Sequence, residues 1–329
     1  MKFPSKYWIL GSVIVALTAT EMSLRLVFGL GNPVLSQADP DTGYRFQPNQ
    51  KVLRFVKKVE YNQYSQRSEP ITPEKHQGIL RILMTGDSIL NGGNPTDQAQ
   101  TISELLKAKL SASSRKSEIL NASAGSWGIG NQLGYLRKFG TFQSDAVILE
   151  VGTDDLIQPT STSDPVGHRP DLPTHPPLLA IQEAVNRYAW SRLSVIFSLS
   201  SSPTEVSPPS STETDQQFKQ NMESLKTIVT LVRTEKIPVF VLFTANQKDL
   251  VPIPNLPRYK SQLLKLLDLL QVPVIDTHTA WSTLPTATVK TYFRDRMHLS
   301  VSGNQAVTDL LFQQLCVTRQ LPACLNRIR

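Results

Sequence analysis

The sequence predicts an α/β protein built on a parallel sheet with helices on both faces. Three observations point to it. Short apolar runs rich in β-branched residues recur between Ile79 and Ile275, each of a length that suits a buried strand. Amphipathic stretches separate them, and strands alternating with helices give a parallel sheet joined by right-handed crossovers. Turns bearing Gly, Ser and Asp follow several of the runs. In such sheets, sites form beyond the carboxyl ends of the strands.

Ile79–Met84 is the first predicted strand and stops at Thr85-Gly86-Asp87-Ser88. A helix follows near Thr101, with Ile102, Leu105, Leu106 and Leu110 on one face. Ser117–Asn121 reads as a second strand, then comes a glycine-rich turn and a helix over Gln132–Phe139. Ala146–Val151 is the third strand, and it runs straight into Gly152-Thr153-Asp154-Asp155. Burying an unpaired charge costs several kcal/mol, so both acids are expected at the sheet's edge, outside the core. An insertion over about 157–215 then interrupts the alternation. Gln158–Pro177 is loop-like, Leu178–Leu199 helical with Tyr188, Trp190 and Phe197, and Ser198–Thr214 a flexible Ser/Thr/Pro tract. The pattern resumes with a helical stripe (Phe218, Met222, Leu225, Val229, Val232) and a strand over Pro238–Phe243. A helix over Tyr259–Leu270, a short strand over Val272–Ile275 and a final helix over Ser302–Leu315 complete it.

Ahead of this core lie two further segments, giving predicted boundaries at 1–30, 31–78 and 79–329. Residues 31–78 form an extension with one alternating patch, Lys51–Val56, read as a small hairpin. Residues 1–30 place Lys2 and Lys6 before an apolar run, Tyr7–Ala19, whose character resumes after Glu21 and Arg25. The whole stretch is long enough to cross a bilayer, and Glu21 and Arg25 can pair at i, i+4. No small-x-small cleavage site follows, so an uncleaved anchor is favoured over a removed signal peptide. The flanking lysines favour an inside N-terminus, which puts the rest of the chain outside the cytoplasm. Cys316 and Cys324 bracket a short loop, and a disulfide there would suit that compartment. Two cysteines and no His pair at ligand spacing give no expectation of a metal or cofactor. The formal charge of +7 over 329 residues is scattered, so nucleic acid is not an expected partner.

The candidate chemistry lies at the strand ends. Ser88 follows Gly86 where a strand turns, a place that suits either an exposed nucleophile or a helix cap. Asp295-Arg296-Met297-His298, near the far end of the chain, can supply a base for such a serine and a carboxylate to orient that base. His76, His168 and His175 lie in polar or proline-rich loops and read as surface residues. His278, after the last strand, is a lesser candidate for the base. Trp127 and the aromatics of the insertion suit either a substrate pocket or packing.

Four blocks then occur in the order found in SGNH/GDSL hydrolases: Gly86-Asp87-Ser88, Asn121–Gly128, Gly152-Thr153-Asp154-Asp155 and Asp295–His298. The chain resembles that superfamily from about Ile79 to its end, outside the insertion, and especially its membrane-anchored bacterial members. The resemblance implies a three-layer α/β/α sandwich with a flavodoxin-like sheet. It implies Ser88 as nucleophile, His298 as base and Asp295 as its orienter. The oxyanion hole it implies is the backbone N–H of Ser88, a backbone N–H at Gly125 or Ser126, and a side-chain amide in the third block. There the sequence departs: Asp154 stands where the family carries Asn. An ionised carboxylate only accepts hydrogen bonds. Three resolutions are open: Asp154 held protonated by burial beside Asp155, the Thr153 hydroxyl filling the gap, or a weak or binding-only site. Asp155 matches the family's own Asp, which bonds backbone.

The function expected is an anchored extracytoplasmic esterase or deacylase working through a Ser88 acyl-enzyme, on an acylated small molecule, lipid or glycan. The alternatives are an O-acyltransferase acting on an envelope polysaccharide and a non-catalytic carbohydrate- or partner-binding module.

Overall fold

The computed structural model describes residues 5–112, 116–189, 210–317 and 321. In chain order the elements are helix α1 (Ser5–Phe28), strands β1 (Ser36–Asp39), β2 (Gly43–Phe46), β3 (Gln50–Arg54), β4 (Lys57–Tyr61) and β5 (Leu80–Gly86), and helices α2 (Ser88–Asn91) and α3 (Ile102–Ser111). Then come β6 (Ser117–Ser123), α4 (Ile129–Phe139), β7 (Ala146–Gly152), α5 (Ala180–Ala184), α6 (Ser211–Thr234), β8 (Val239–Thr244) and α7 (Lys260–Leu269). The chain closes with β9 (Val274–Asp276), α8 (Thr277–Trp281), α9 (Thr286–Thr291) and α10 (Val301–Val317).

Five parallel strands form the central sheet in the order β6-β5-β7-β8-β9, the flavodoxin-like arrangement. The period of two along each strand sorts its side chains between two cores. Leu83, Val147, Leu149, Val241 and Phe243 face α4, α6 and α7, and Ile82, Met84, Ile148, Phe240 and Leu242 face α3 and α10. The strands predicted from sequence are all present.

The extension holds two antiparallel hairpins, β1–β2 and β3–β4, where one was expected. The first escapes a hydrophobicity reading because its strands are polar and its buried positions are filled by Ser36, Asp39 and Tyr44. Its turn is seated on α4, where a Cβ on Gly134 would lie 1.9 Å from the Asp41 carbonyl oxygen. Within the insertion, α5 and a single π turn over Val185–Ala189 occupy part of the expected helix. The rest of that helix, with Trp190 and Phe197, lies outside the described residues. Helix α6 begins inside the Ser/Thr/Pro tract, because Ser210 and Glu213 form a capping box that starts it. The expected Cys316–Cys324 disulfide lies outside the described residues. Helix α1, over Lys6–Phe28, is long and apolar enough to cross a membrane.

The Gly134 contact makes the extension part of the fold. Gly134→Ala should lower stability by about 1–3 kcal/mol through overpacking, read as a shift in urea midpoint of the full chain in detergent. An unchanged midpoint would show that the β1–β2 turn yields freely.

Candidate active site

Strand β5 ends at Gly86, and Ser88 is the first residue of α2. The cap of that helix is Asp87, whose Oδ1 accepts from the Ile89 N–H at 2.7 Å. Ser88 is therefore not the capping residue, and its hydroxyl serves no local structure. It meets His298 instead: Ser88 Oγ lies 3.0 Å from His298 Nε2. On the other side of the ring, Nδ1 lies 2.9 Å from Asp295 Oδ2 and 3.0 Å from Oδ1.

The loop between α9 and α10 fixes this pair. Phe293 and Leu299 form an antiparallel bridge, and the Arg294 N–H donates to the His298 carbonyl at 2.9 Å. Inside the loop, Asp295 Oδ1 accepts from the backbone N–H groups of Met297 (3.0 Å) and His298 (2.8 Å). Partial burial pushes the Asp295 carboxyl up, but these two N–H groups and the His298 ring outweigh it and hold the group below its usual range. Asp295 thus stays an anion able to orient the imidazole.

Gly125 and Ser126 line the same cavity as Ser88, a space of about 310 Å³. They occupy a tight turn in which the Trp127 N–H donates to the Ala124 carbonyl at 3.3 Å. Ser126 sits at φ +59°, a left-handed conformation that costs a side-chain-bearing residue roughly 1–2 kcal/mol. Contacts from outside the sheet offset that strain. The Tyr44 hydroxyl donates to the Gly125 carbonyl, and Gln158 Nε2 (2.6 Å) and the Ser161 hydroxyl donate to the Ser126 carbonyl. Burial raises the Tyr44 phenol's pKa, so it remains a donor. Trp127 is 2% exposed and gives its indole N–H to the Tyr44 carbonyl; it packs rather than lining the pocket. Tyr44, Gln158 and Ser161 could not be found from sequence, because each contact spans tens of residues and none belongs to a motif.

Asp154 is placed elsewhere. Its side chain is 44% exposed and lies 3.7 Å from Lys248 Nζ. It lines a separate depression with Thr153, Lys248 and Tyr259. The Thr153 hydroxyl is also engaged there, donating to Asp249 Oδ2 at 2.8 Å. Two of the three resolutions weighed from sequence thus find no support in the geometry. His278 is likewise committed, with Nδ1 2.9 Å from Lys260 Nζ and Nε2 2.8 Å from the Asn255 carbonyl. His76, His168 and His175 are exposed loop residues as expected.

The expectation that the acids of this strand end lie outside the core is corrected by Asp155, 1% exposed, and by Glu150 inside β7, fully buried. With Asp87 they form a trio whose carboxylate oxygens lie within 4.8 Å of one another. A charged residue in the middle of an otherwise apolar run was the sequence signal for Glu150. It packs on Gly86, where a Cβ would lie 2.5 Å from Glu150 Oε2. Protein donors reach these groups, Asp87 N–H to Glu150 (3.1 Å), the Thr244 hydroxyl to Glu150 (2.6 Å) and Gly152 N–H to Asp155 Oδ2 (2.8 Å), while the buried Asp155 Oδ1 has no partner. Oxygen ligands of this kind suit a hard cation, yet each carboxyl already has a hydrogen-bond donor. Burial pushes all three carboxyls up, Glu150 and Asp155 well above the usual range, and mutual repulsion adds to the rise in both.

Residues 84–306 match the model of the GDSL-like lipase/acylhydrolase family. The chain belongs to that family. It is a family of hydrolases, and the matched span runs from β5 to the start of α10, taking in Ser88, Asp295 and His298. Comparison with curated proteins returned no match. Among solved structures, this family member is similar to TesA at 14% identity and TM-score 0.43, covering 73% of this chain and 99% of that one. A lipase/acylhydrolase from Enterococcus faecalis shares 16% identity at TM-score 0.42, with 72% and 95% covered. A two-domain esterase active on acetylated mannans shares 13% identity at TM-score 0.42, with 72% of this chain and 49% of that one covered.

The carboxyl trio sets a pH dependence. A carboxyl whose pKa is raised by folding binds its proton more tightly in the folded state. Folding then takes up protons between about pH 4, the ordinary carboxylate value, and the raised values, so stability falls as pH climbs through that window. Glu150→Gln removes one such group, and its melting temperature should fall less than the parent's from the acid end of the window upward. Parallel curves for the two proteins would show that Glu150 does not titrate with folding.

Proposed function

We propose that this protein is a membrane-anchored ester hydrolase acting outside the cytoplasm through a Ser88 acyl-enzyme. One observation carries the reading: Ser88 Oγ at 3.0 Å from His298 Nε2, with the opposite ring nitrogen 2.9 Å from Asp295. A serine hydroxyl becomes a nucleophile only when a base takes its proton, and the base needs its other nitrogen held as an N–H.

In the first step Ser88 Oγ attacks the ester carbonyl and its proton passes to His298 Nε2. His298 returns that proton to the departing alcohol, leaving the acyl group on Ser88. A water then gives a proton to His298 and attacks the acyl carbon, and the acid leaves as the serine is reprotonated. Asp295 stays ionised and stabilises the imidazolium that forms twice. The oxyanion is held by the N–H groups of Ser88 and of Gly125 or Ser126. Asp154, the third-block residue, lies beside Lys248 in a separate depression and contributes no donor to the oxyanion.

Anchoring is supported by α1, by its apolar length and by the lysines before it. A binding-only module gains nothing from a serine, histidine and aspartate in hydrogen-bond line. Acyl transfer to a glycan is a second reading, favoured by Tyr44, Phe46 and Tyr61, which line the Ser88 cavity and suit packing against a sugar ring. Free acid as the sole acyl product would remove it.

With p-nitrophenyl acetate and the full chain in detergent, Ser88→Ala should lower turnover by about 10⁴-fold or more, and adding His298→Ala should cost little further, since the two act as a unit. Residual turnover near the parent's would end the acyl-enzyme reading. Because Asp154 faces Lys248 in a separate depression, Asp154→Asn should leave turnover close to the parent's. A rise approaching the roughly 10²–10³-fold that one oxyanion donor is worth elsewhere would show that position 154 turns toward the oxyanion during the reaction. Tyr44→Phe frees the Gly125 carbonyl and should lower kcat more than it raises KM, because a displaced oxyanion donor acts only in the transition state.

A further inference from the structure

The far end of α1 is built into the domain. Glu21 accepts from the backbone N–H groups of Ala180 (2.8 Å) and Ile181 (2.9 Å), so it supplies the cap that Leu179, at the start of α5, cannot. Arg25 Nε pairs with Glu21 at 2.6 Å, and its Nη2 donates to the Leu178 carbonyl at 2.8 Å. One turn on, the Phe55 N–H donates to the Phe28 carbonyl at 2.9 Å and the two rings meet edge-on at 6.2 Å. Gly29, at φ +67°, lets the chain pass with the Leu53 carbonyl 1.9 Å from where a Cβ would sit. The β3–β4 tip and the Leu178–Leu179 loop are thereby held level with the last two turns of α1.

Helix length says where that level lies. A bilayer's hydrocarbon core is about 30 Å thick. The part of α1 ahead of Glu21 is only about 24 Å long at 1.5 Å per residue, whereas the 23-residue span Lys6–Phe28 is about 34 Å. Spanning the core needs the final turns, and the tip and loop are fixed beside those turns. Both are apolar at that level. Leu178 is 89% exposed, Leu179 52%, Val56 76% and Leu53 55%. Phe55 and Val56 have φ of +51° and +63°, positions where a hairpin turn favours Asn or Gly. Phe55 is partly covered by the Phe28 and Tyr188 rings, but Val56 leaves 76% of its surface exposed, and in water that exposure gains nothing to offset the strain.

We infer that Phe28, Leu53, Phe55, Val56, Leu178 and Leu179 form a rim seated in the interfacial zone of the leaflet by which α1 leaves the bilayer, so that the occupant of this surface is lipid. The inference rests on α1 being embedded in a membrane, as proposed above.

The test uses the full chain in vesicles of phosphatidylglycerol and phosphatidylethanolamine. Val56→Trp and, separately, Leu178→Trp add an indole at the rim, and Leu269→Trp adds one at an exposed site in α7; the added emission is the difference from the parent chain. Lipids brominated near the glycerol end of the acyl chain should quench the rim indoles by about half or more, because an interfacial side chain sits about 5–10 Å into the headgroup boundary. The indole at position 269 should be unaffected. Rim indoles quenched no more than that control overturn the inference. Quenching that is lost as protein density in the vesicle rises also overturns it, in favour of a second copy of the chain. If alkaline carbonate strips the chain from the vesicles, α1 is not embedded, and the anchor fails together with the rim. Carbonate-resistant chain with unquenched rim indoles sinks the rim alone.

Discussion

The interaction on which the Ser88 end of this sheet depends is the packing of the Glu150 side chain against Gly86. It brings a carboxyl of one strand onto the backbone of the next, one residue before Asp87 and two before Ser88. Any side chain at position 86 would collide with it. The same carboxyl accepts the Asp87 N–H, and so sets the direction in which β5 turns into α2. Asp155 then ties the end of β7 to the Gly152 N–H. Three strand ends are thus braced by carboxyl groups that the fold keeps out of water. An unmade hydrogen bond there costs about 1–3 kcal/mol, a cost the fold carries at Asp155 Oδ1, which is buried without a partner.

Above this base, the parts of the chain that lie outside the sheet complete the cavity. Tyr44 comes from the first hairpin, Gln158 and Ser161 from the start of the insertion, and all three hold the turn at Gly125 and Ser126. The hairpins, the insertion and α1 are in turn linked by Arg54, fully buried, which binds the Gly29 carbonyl and Glu183. Breaking a buried pair by removing one partner is costly, about 3–5 kcal/mol. Extension and insertion therefore act as one wall of the site.

The sheet and its helices were legible because burial imposes a period on residues close in sequence: Leu83 and Ile82 face opposite cores, as alternate strand residues must. Ser88, Asp295 and His298 were legible because each sits in a short block of characteristic residues. The β1–β2 hairpin was not, since its buried residues are polar and find partners far along the chain: the Ser36 N–H donates to the Pro173 carbonyl. Asp154 shows a different limit. Residue identity marked it as a departure from the family pattern, but only the neighbouring Lys248 and the exposure of its side chain show which way it faces.

The Glu21 cap has a practical consequence for how this enzyme is studied in solution. A chain cut after Phe28 to gain solubility loses Glu21 and Arg25, leaving α5 without its N-terminal acceptor and the Leu178 carbonyl without its donor. The helix so loosened leads into Arg187, which lines the Ser88 cavity, and carries Glu183, the partner of Arg54. Kinetic constants from such a shortened protein would describe a cavity with one side untethered, and affinity for larger substrates would suffer before the chemistry on a small activated ester did.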